Sequence, residues 1–303
     1  MKPAMHQPLI GLVPAVLTPF DSKGELNLAA VEKQAELCAS DGVSDAFVGG
    51  TTGEFSSLST AERMALAGKW LDVCRGTRLR VVVHVGANAL ADATELARHA
   101  EKHGAAAIAT VAPNYVKPKT VGQLAEWCAK LAAAAPATPF YFYDIPTMTG
   151  VSLSMPEFLA GFARSIPTFA GLKFTNSDLM AFQQLVNFEN GKYDVVWGFD
   201  EFLMAAVVLG AKGAVGSSYN FAAPLYHRIL AAVKSGDLAA ARADQFRSVQ
   251  LISLMIRFGF LTAGKEAMRA RGLDLGPVRS PNPNMTTEQA VTFRTEYEKL
   301  GVR

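Results

Sequence analysis

Lys173 stands inside an otherwise apolar run, FAGLKFTN (169–176). A lysine there must be paired or must lose its proton, because burial disfavours the ammonium. On position alone, the plain reading is a side chain reaching an aspartate or the solvent at the mouth of a core. The chemical reading is sharper. An ammonium with a pKa of about 10.4 cannot attack a ketone, whereas a free amine in an apolar pocket can. The imine that results is an electron sink, and it stabilises a carbanion on the adjacent carbon. Lys173 is therefore a candidate for a Schiff-base lysine acting on a carbonyl substrate. The imine is its own electron sink, so no cofactor is expected.

Other polar residues lie where they could assist. Tyr143 ends an aromatic run, FYFYDIP, in which Phe140, Tyr141 and Phe142 include core residues. Core packing is its plain reading, and proton shuttling beside an imine is its functional one. In GGTTGEFSSLS (49–59), Ser59 or Thr60 can cap the following helix, with Glu62 in its first turn. The functional reading of the same turn is a small anion site, in which backbone N–H groups and the Thr51 and Thr52 hydroxyls hold a carboxylate. Asp200 and Glu201 read as hydrogen-bond acceptors for hydroxyls, since no further carboxylates converge on them. The five histidines have no metal-ligand spacing, and His99 and His103, four apart, fall on a helix where they are expected to face solvent. A zinc site is therefore not expected.

The elements that must position these groups alternate along the chain. Apolar runs at 12–20, 45–50, 80–86, 106–113, 139–146, 169–176, 193–200 and 213–218 are separated by stretches with apolar residues at helical spacing. The runs are apolar on both faces, as parallel strands covered by helices are. Eight strand–helix units predict a closed (β/α)₈ TIM barrel. An open doubly wound sheet is the alternative, but no GxGxxG follows the first strand. Residues 1–222 read as the barrel core. Residues 223–303 read as its last helix and a C-terminal helical extension, with helices at 237–258, 262–272 and 286–299, all in one continuous domain. In such a barrel, function gathers at the C-terminal strand ends. Thr51, Thr52, Tyr115, Tyr143, Lys173, Thr175, Asp200, Glu201 and Ser217 all fall at or near those ends.

Composition narrows the class. The chain has 303 residues, half of them apolar, and a net charge of +2 without a basic run, which argues against nucleic-acid binding. No apolar stretch is long enough to span a bilayer. Cys38, Cys74 and Cys128 sit in predicted helices and read as small buried hydrophobes in a reducing compartment. The opening MKPAMHQPLIG lacks the hydrophobic stretch of a secretory leader, so a cytoplasmic protein acting on a small molecule is expected.

Three segments in order, GGTTGE (49–54), the tyrosine and proline of YDIPTMTG (143–150) and GLKFTNSDL (171–179), resemble the dihydrodipicolinate synthase/N-acetylneuraminate lyase superfamily of class I aldolases. The resemblance runs from about residue 8 to the C-terminal helices. It implies that Lys173 forms the imine with pyruvate, that Tyr143 relays protons, and that Thr51 and Thr52 hold the pyruvate carboxylate and assist the relay through Thr52. It also implies a homotetramer in which Tyr115, in APNYVKP, reaches the relay of a neighbouring subunit. Synthases of the family usually carry an arginine two residues after the strand-five proline, facing a second carboxylate. Here that residue is Met148, which cannot pair with one. KFTNSDL, GFDE (198–201) and GSSYN (216–220) resemble the lyase branch instead. They imply that Thr175, Gly198, Asp200, Glu201 and Ser217 contact a polyhydroxyl tail, and that the reaction cleaves a sialic acid to N-acetylmannosamine and pyruvate. GTTGE stands where lyases usually have GSTGE, and Ser218 replaces a threonine. The alternatives are a pyruvate-dependent aldolase or dehydratase acting on another 2-keto-3-deoxy sugar acid, and a catalytically silent barrel that binds a sugar acid.

Overall fold

In the computed structural model, which describes residues 6–303, each apolar run supplies a strand and each periodic stretch a helix. Residues 1–5, the start of the segment read as lacking a leader, lie outside the described residues. The chain runs β1 (Gly11–Pro14), α1 (Ala30–Ser40), β2 (Asp45–Val48), α2 (Thr60–Cys74), β3 (Arg80–His84), α3 (Leu90–Lys102), β4 (Ala107–Val111) and α4 (Val121–Ala132). It continues through β5 (Phe140–Asp144), α5 (Pro146–Thr149), α6 (Met155–Phe162), β6 (Phe169–Phe174), α7 (Leu179–Asn187), β7 (Asp194–Trp197), α8 (Leu203–Val208) and β8 (Gly213–Gly216). The remainder is α9 (Tyr219–Ser235), α10 (Leu238–Arg257), α11 (Phe260–Ala270) and α12 (Thr287–Lys299).

The strands are parallel and ordered β1-β8-β7-β6-β5-β4-β3-β2. The ring closes where Ala15 bridges Phe47 and the Val16 N–H donates to the Phe47 carbonyl at 3.0 Å. The closed barrel expected from the alternation is therefore the architecture found. Phe140, Phe142, Leu172 and Phe174 face outward into the layer shared with the helices. Val13, Phe47, Val82, Ala109, Tyr141, Tyr143, Val196 and Val215 fill the interior. Both faces are dry, which is why the strands carry no polar alternation.

One irregularity decides where Lys173 points. Phe140 pairs with Phe169, but Tyr141 pairs with Gly171, so Ala170 is an extra residue in β6. Phe169 faces the outer layer and Ala170 the interior. Strict alternation from Phe169 would send Lys173 outward as well. The bulge reverses the parity, and Lys173 enters the barrel beside Tyr143, its register partner.

The C-terminal helices lie close to the expected ranges, except that α9 begins at Tyr219 rather than at residue 223. Its backbone departs from helical geometry at Ala222 (φ −137°), within the turn where Pro224 lacks the N–H that would bond the Asn220 carbonyl and its ring crowds that carbonyl. The extension packs back onto the barrel. Arg271 pairs with Asp41 at 2.6 Å, and Lys265 on α11 lies 3.3 Å from the buried Glu54 carboxylate. Cys38, Cys74 and Cys128 are free and buried as expected, and burial pushes the Cys74 thiol up to about 11. Among the described residues no helix is long and apolar enough to cross a membrane.

Candidate active site

The site lies where the C-terminal ends of β2, β5, β6, β7 and β8 meet. Lys173 is 4% exposed, and its Nζ sits 3.9 Å from the Tyr143 ring centroid and 4.3 Å from that of Phe47. Aromatic faces surround the amine in place of the aspartate partner that the plain reading required. They supply no hydrogen-bond acceptor, so the Lys173 nitrogen stays free to meet a ligand. Tyr143 is buried, and its hydroxyl lies 3.5 Å from Thr51 Oγ1.

The turn after β2 is shaped by its glycines. Gly49 has φ +67°, a conformation that favours glycine, and a Cβ on Gly53 would lie 3.2 Å from the Val16 carbonyl oxygen. Thr18 Oγ1 donates to the Gly53 carbonyl at 2.6 Å, tying the turn to the loop after β1. Glu54 ends the turn in the left-handed region (φ 55°), and its carboxylate accepts from the Arg279 backbone N–H at 2.8 Å. Ser59 then caps α2 in a reciprocal box with Glu62, as the sequence suggested. The Glu62 carboxyl is held down at about 2, mainly by its bond with Arg279.

The turn also corrects an expectation. The relay was expected to run from Tyr143 through Thr52, but Thr52 Oγ1 is 2.6 Å from Ser217 Oγ, and Thr51 is the residue beside Tyr143. Consecutive residues of a tight turn project in different directions, so one hydroxyl meets β5 and the other meets the end of β8.

On the far side, Thr175 Oγ1 is buried without a partner. A Cβ on Gly198 would overlap that oxygen and come within 2.7 Å of Thr175 Cβ, so only glycine admits this approach. Asp200 is buried, and its Oδ2 accepts from the Ser218 N–H at 2.8 Å and the Ser218 hydroxyl at 2.5 Å. Ser218 Oγ, its proton given to Asp200, is also 2.6 Å from Tyr226 Oη, which lies 2.9 Å from Ser248 Oγ. Burial raises the Asp200 pKa, opposed by the Ser218 bonds and the Lys173 charge. Burial also raises Glu201, and the Asp200 charge adds to it. The strand ends thus place Lys173 beside Tyr143, Tyr143 beside Thr51, Thr52 beside Ser217, Thr175 against Gly198, and Glu201 within reach of the Asp200 charge.

Tyr115 stands apart from them. It is 88% exposed on the loop after β4, where Asn88 Oδ1 accepts its backbone N–H at 3.2 Å. His99 and His103 also differ from expectation. Their rings lie 4.0 Å apart by centroids at a tilt of 31° and are half-buried at the end of α3 rather than turned to solvent.

Sequence reasoning passed over three buried polar residues at the rim of the site. His84 ends β3 with Nδ1 2.9 Å from the Gly49 carbonyl oxygen, and Arg63 on α2 reaches the carbonyls of His84 and Gly86. Lys265 comes from α11 to meet Glu54. A charged residue at a buried helical phase was the one signal available for Arg63 and Lys265. Among the described residues no three His, Cys, Asp or Glu side chains converge in a way that could hold a metal ion.

Residues 8–299 match the dihydrodipicolinate synthetase family. An N-acetylneuraminate lyase of Mus musculus is 40% identical over 296 residues, which is 96% of this chain and 92% of that protein. The solved N-acetylneuraminate lyase of Aliivibrio salmonicida has a TM-score of 0.95 at 39% identity, covering 98% of each chain. That of Proteus mirabilis has a TM-score of 0.95 at 36% identity, covering 98% of this chain and all of its own. By fold, by site and by full-length similarity, the chain belongs to the dihydrodipicolinate synthetase family.

Proposed function

We propose that this chain is a class I aldolase that cleaves N-acetylneuraminate to N-acetylmannosamine and pyruvate. The observation that carries the chemistry is Lys173, an amine buried between two aromatic faces with Tyr143 beside it. The substrate follows from relatives that carry the name N-acetylneuraminate lyase along nearly their whole length.

In this reading the Lys173 amine adds to the C2 ketone of the open-chain sugar acid and water leaves, forming an iminium. Tyr143 Oη, having given its proton to the departing water, accepts the C4 hydroxyl proton as the C3–C4 bond breaks, and the bonding electrons move onto the iminium as an enamine. N-acetylmannosamine departs as the aldehyde. The enamine carbon, C3, is then protonated, and water hydrolyses the iminium to release pyruvate and regenerate the amine. Thr51, next to Tyr143, is the relay partner in this scheme, and Thr52 with the turn's N–H groups holds the carboxylate. Thr175, whose buried hydroxyl lacks a partner, Ser217, Glu201 and the Asp200 oxygen not bound by Ser218 face the hydroxylated tail, with Gly198 leaving room for it. Tyr115 completes the relay from a second subunit in a cytoplasmic homotetramer, a role that suits its exposure on the single chain.

A coupled pyruvate assay tests the substrate. Release from N-acetylneuraminate, with little from 2-keto-3-deoxygluconate, is expected. The reverse preference would assign the tail pocket to another sugar acid.

A further inference from the structure

Behind the Gly-Thr turn lies a charge that nothing in the reaction scheme uses. Arg63 is 6% exposed, yet its guanidinium donates to carbonyls, Nη1 to Gly86 at 2.8 Å and Nη2 to His84 at 2.8 Å. The guanidinium lies 5.3 Å from the Phe55 ring, and Nε has no partner. The one carboxylate that acts on it electrostatically is Asp92, at a distance. Burial pushes it down to about 10, yet it stays charged at neutral pH. A buried unpaired cation costs several kcal/mol unless something anionic offsets it.

His84 connects this cation to the turn. Its Nδ1 faces a carbonyl oxygen, which can only accept, so Nδ1 carries the proton and donates to Gly49 at 2.9 Å. Its Nε2 is buried without a partner, and a Cβ on Gly86 would come within 2.8 Å of it, so glycine at 86 is what admits the ring. Burial and the Arg63 charge keep it neutral. The ring sits 4.5 Å from Phe55 and 6.3 Å from Tyr143 by centroids. A continuous set of contacts thus runs from Arg63 to the His84 backbone, through the His84 ring to Gly49, and into the turn that bears Thr51 and Thr52.

We propose that Arg63 and His84 are positioning residues for the carboxylate of the 2-oxo acid. His84 fixes the Gly49 peptide so that the amides after it face the anion. Arg63 supplies the buried positive charge that draws the anion in, and that charge is neutralised when the ligand binds. The inference rests on the aldolase reading above.

The test compares two ketones that differ in charge, pyruvate and methyl pyruvate, each titrated against the full chain with borohydride, with the fraction of adduct read by intact mass. In R63M the pyruvate concentration giving half-maximal adduct should rise roughly 10-fold, the order expected for losing one nearby charge in a partly shielded site. The value for methyl pyruvate should change less than about 2-fold. A role confined to packing would move both ketones together. An unchanged ratio between them overturns the proposal. Should R63M fail to fold, the His84 pair decides. H84L should weaken pyruvate trapping roughly 10-fold, and H84N, whose amide can still donate to Gly49, should restore it to within about 3-fold. H84N no better than H84L would equally overturn it. If the unaltered chain traps no pyruvate, the aldolase reading itself fails, and that outcome is distinct from normal trapping without carboxylate selectivity.

Discussion

Asp144 follows Tyr143 on β5 and is 3% exposed. Its one side-chain bond is accepted from Asn176 Nδ2 at 3.0 Å. Burial raises its carboxyl from the ordinary 3.8 to about 6, and the Asn176 bond opposes that only in part. The folded chain therefore binds this proton more tightly than the unfolded chain between those two values. Below pH 3.8 both states are protonated and Asp144 costs nothing on this score. As pH rises the unfolded state ionises first, and the cost grows until the folded carboxyl has ionised too. At about 1.36 kcal/mol per pH unit, the full cost above pH 6 is about 3 kcal/mol. Asp144→Asn keeps an acceptor for Asn176 and removes the ionisation. The variant should therefore be more stable than the parent, by about 1.5 kcal/mol at pH 5 and about 3 kcal/mol at pH 8. Urea denaturation at the two pH values measures both differences. The reasoning is refuted if the gap between variant and parent does not widen with pH, or if the parent is the more stable at pH 8.

Three further substitutions address the site. Gly198→Ala would push a methyl into Thr175, and should raise KM for N-acetylneuraminate at least about 10-fold while leaving borohydride trapping of pyruvate nearly unchanged. Equal losses in both assays would place Gly198 outside the tail pocket. The two turn threonines should separate. Thr51→Val, which unpairs Tyr143, should lower kcat roughly 100-fold with pyruvate trapping intact, whereas Thr52→Val should weaken pyruvate trapping first. The opposite pattern in steady-state kinetics and trapping would return the relay to Thr52.

The barrel and the lysine were legible in the sequence because each is written locally. Runs apolar on both faces, separated by helical spacing, leave few architectures, and a charge within one of them stands out against its neighbours. The inward direction of Lys173 was not legible, since it depends on the bulge at Ala170, which no residue type announces. The division of labour between Thr51 and Thr52 depends on how one tight turn is oriented against β5 and β8. Glu54 and Lys265 meet across most of the chain, so no spacing could have paired them. His84 looked like any polar residue ending an apolar run, and Arg63 showed only a charge at a buried helical phase. Their meaning comes from one ring nitrogen and three carbonyls that only the folded chain assembles. Ser218, read as a neutral replacement for threonine, proved to anchor Asp200.

In the proposed reaction the Lys173 amine forms an imine with a 2-oxo acid. Incubation with pyruvate and sodium borohydride, followed by peptide mass spectrometry, tests it directly. One reduced pyruvate adduct is expected, located on Lys173 and absent from Lys173→Ala, which should also have lost all turnover. An adduct on another lysine, or no adduct in a chain that still releases pyruvate from N-acetylneuraminate, would contradict it.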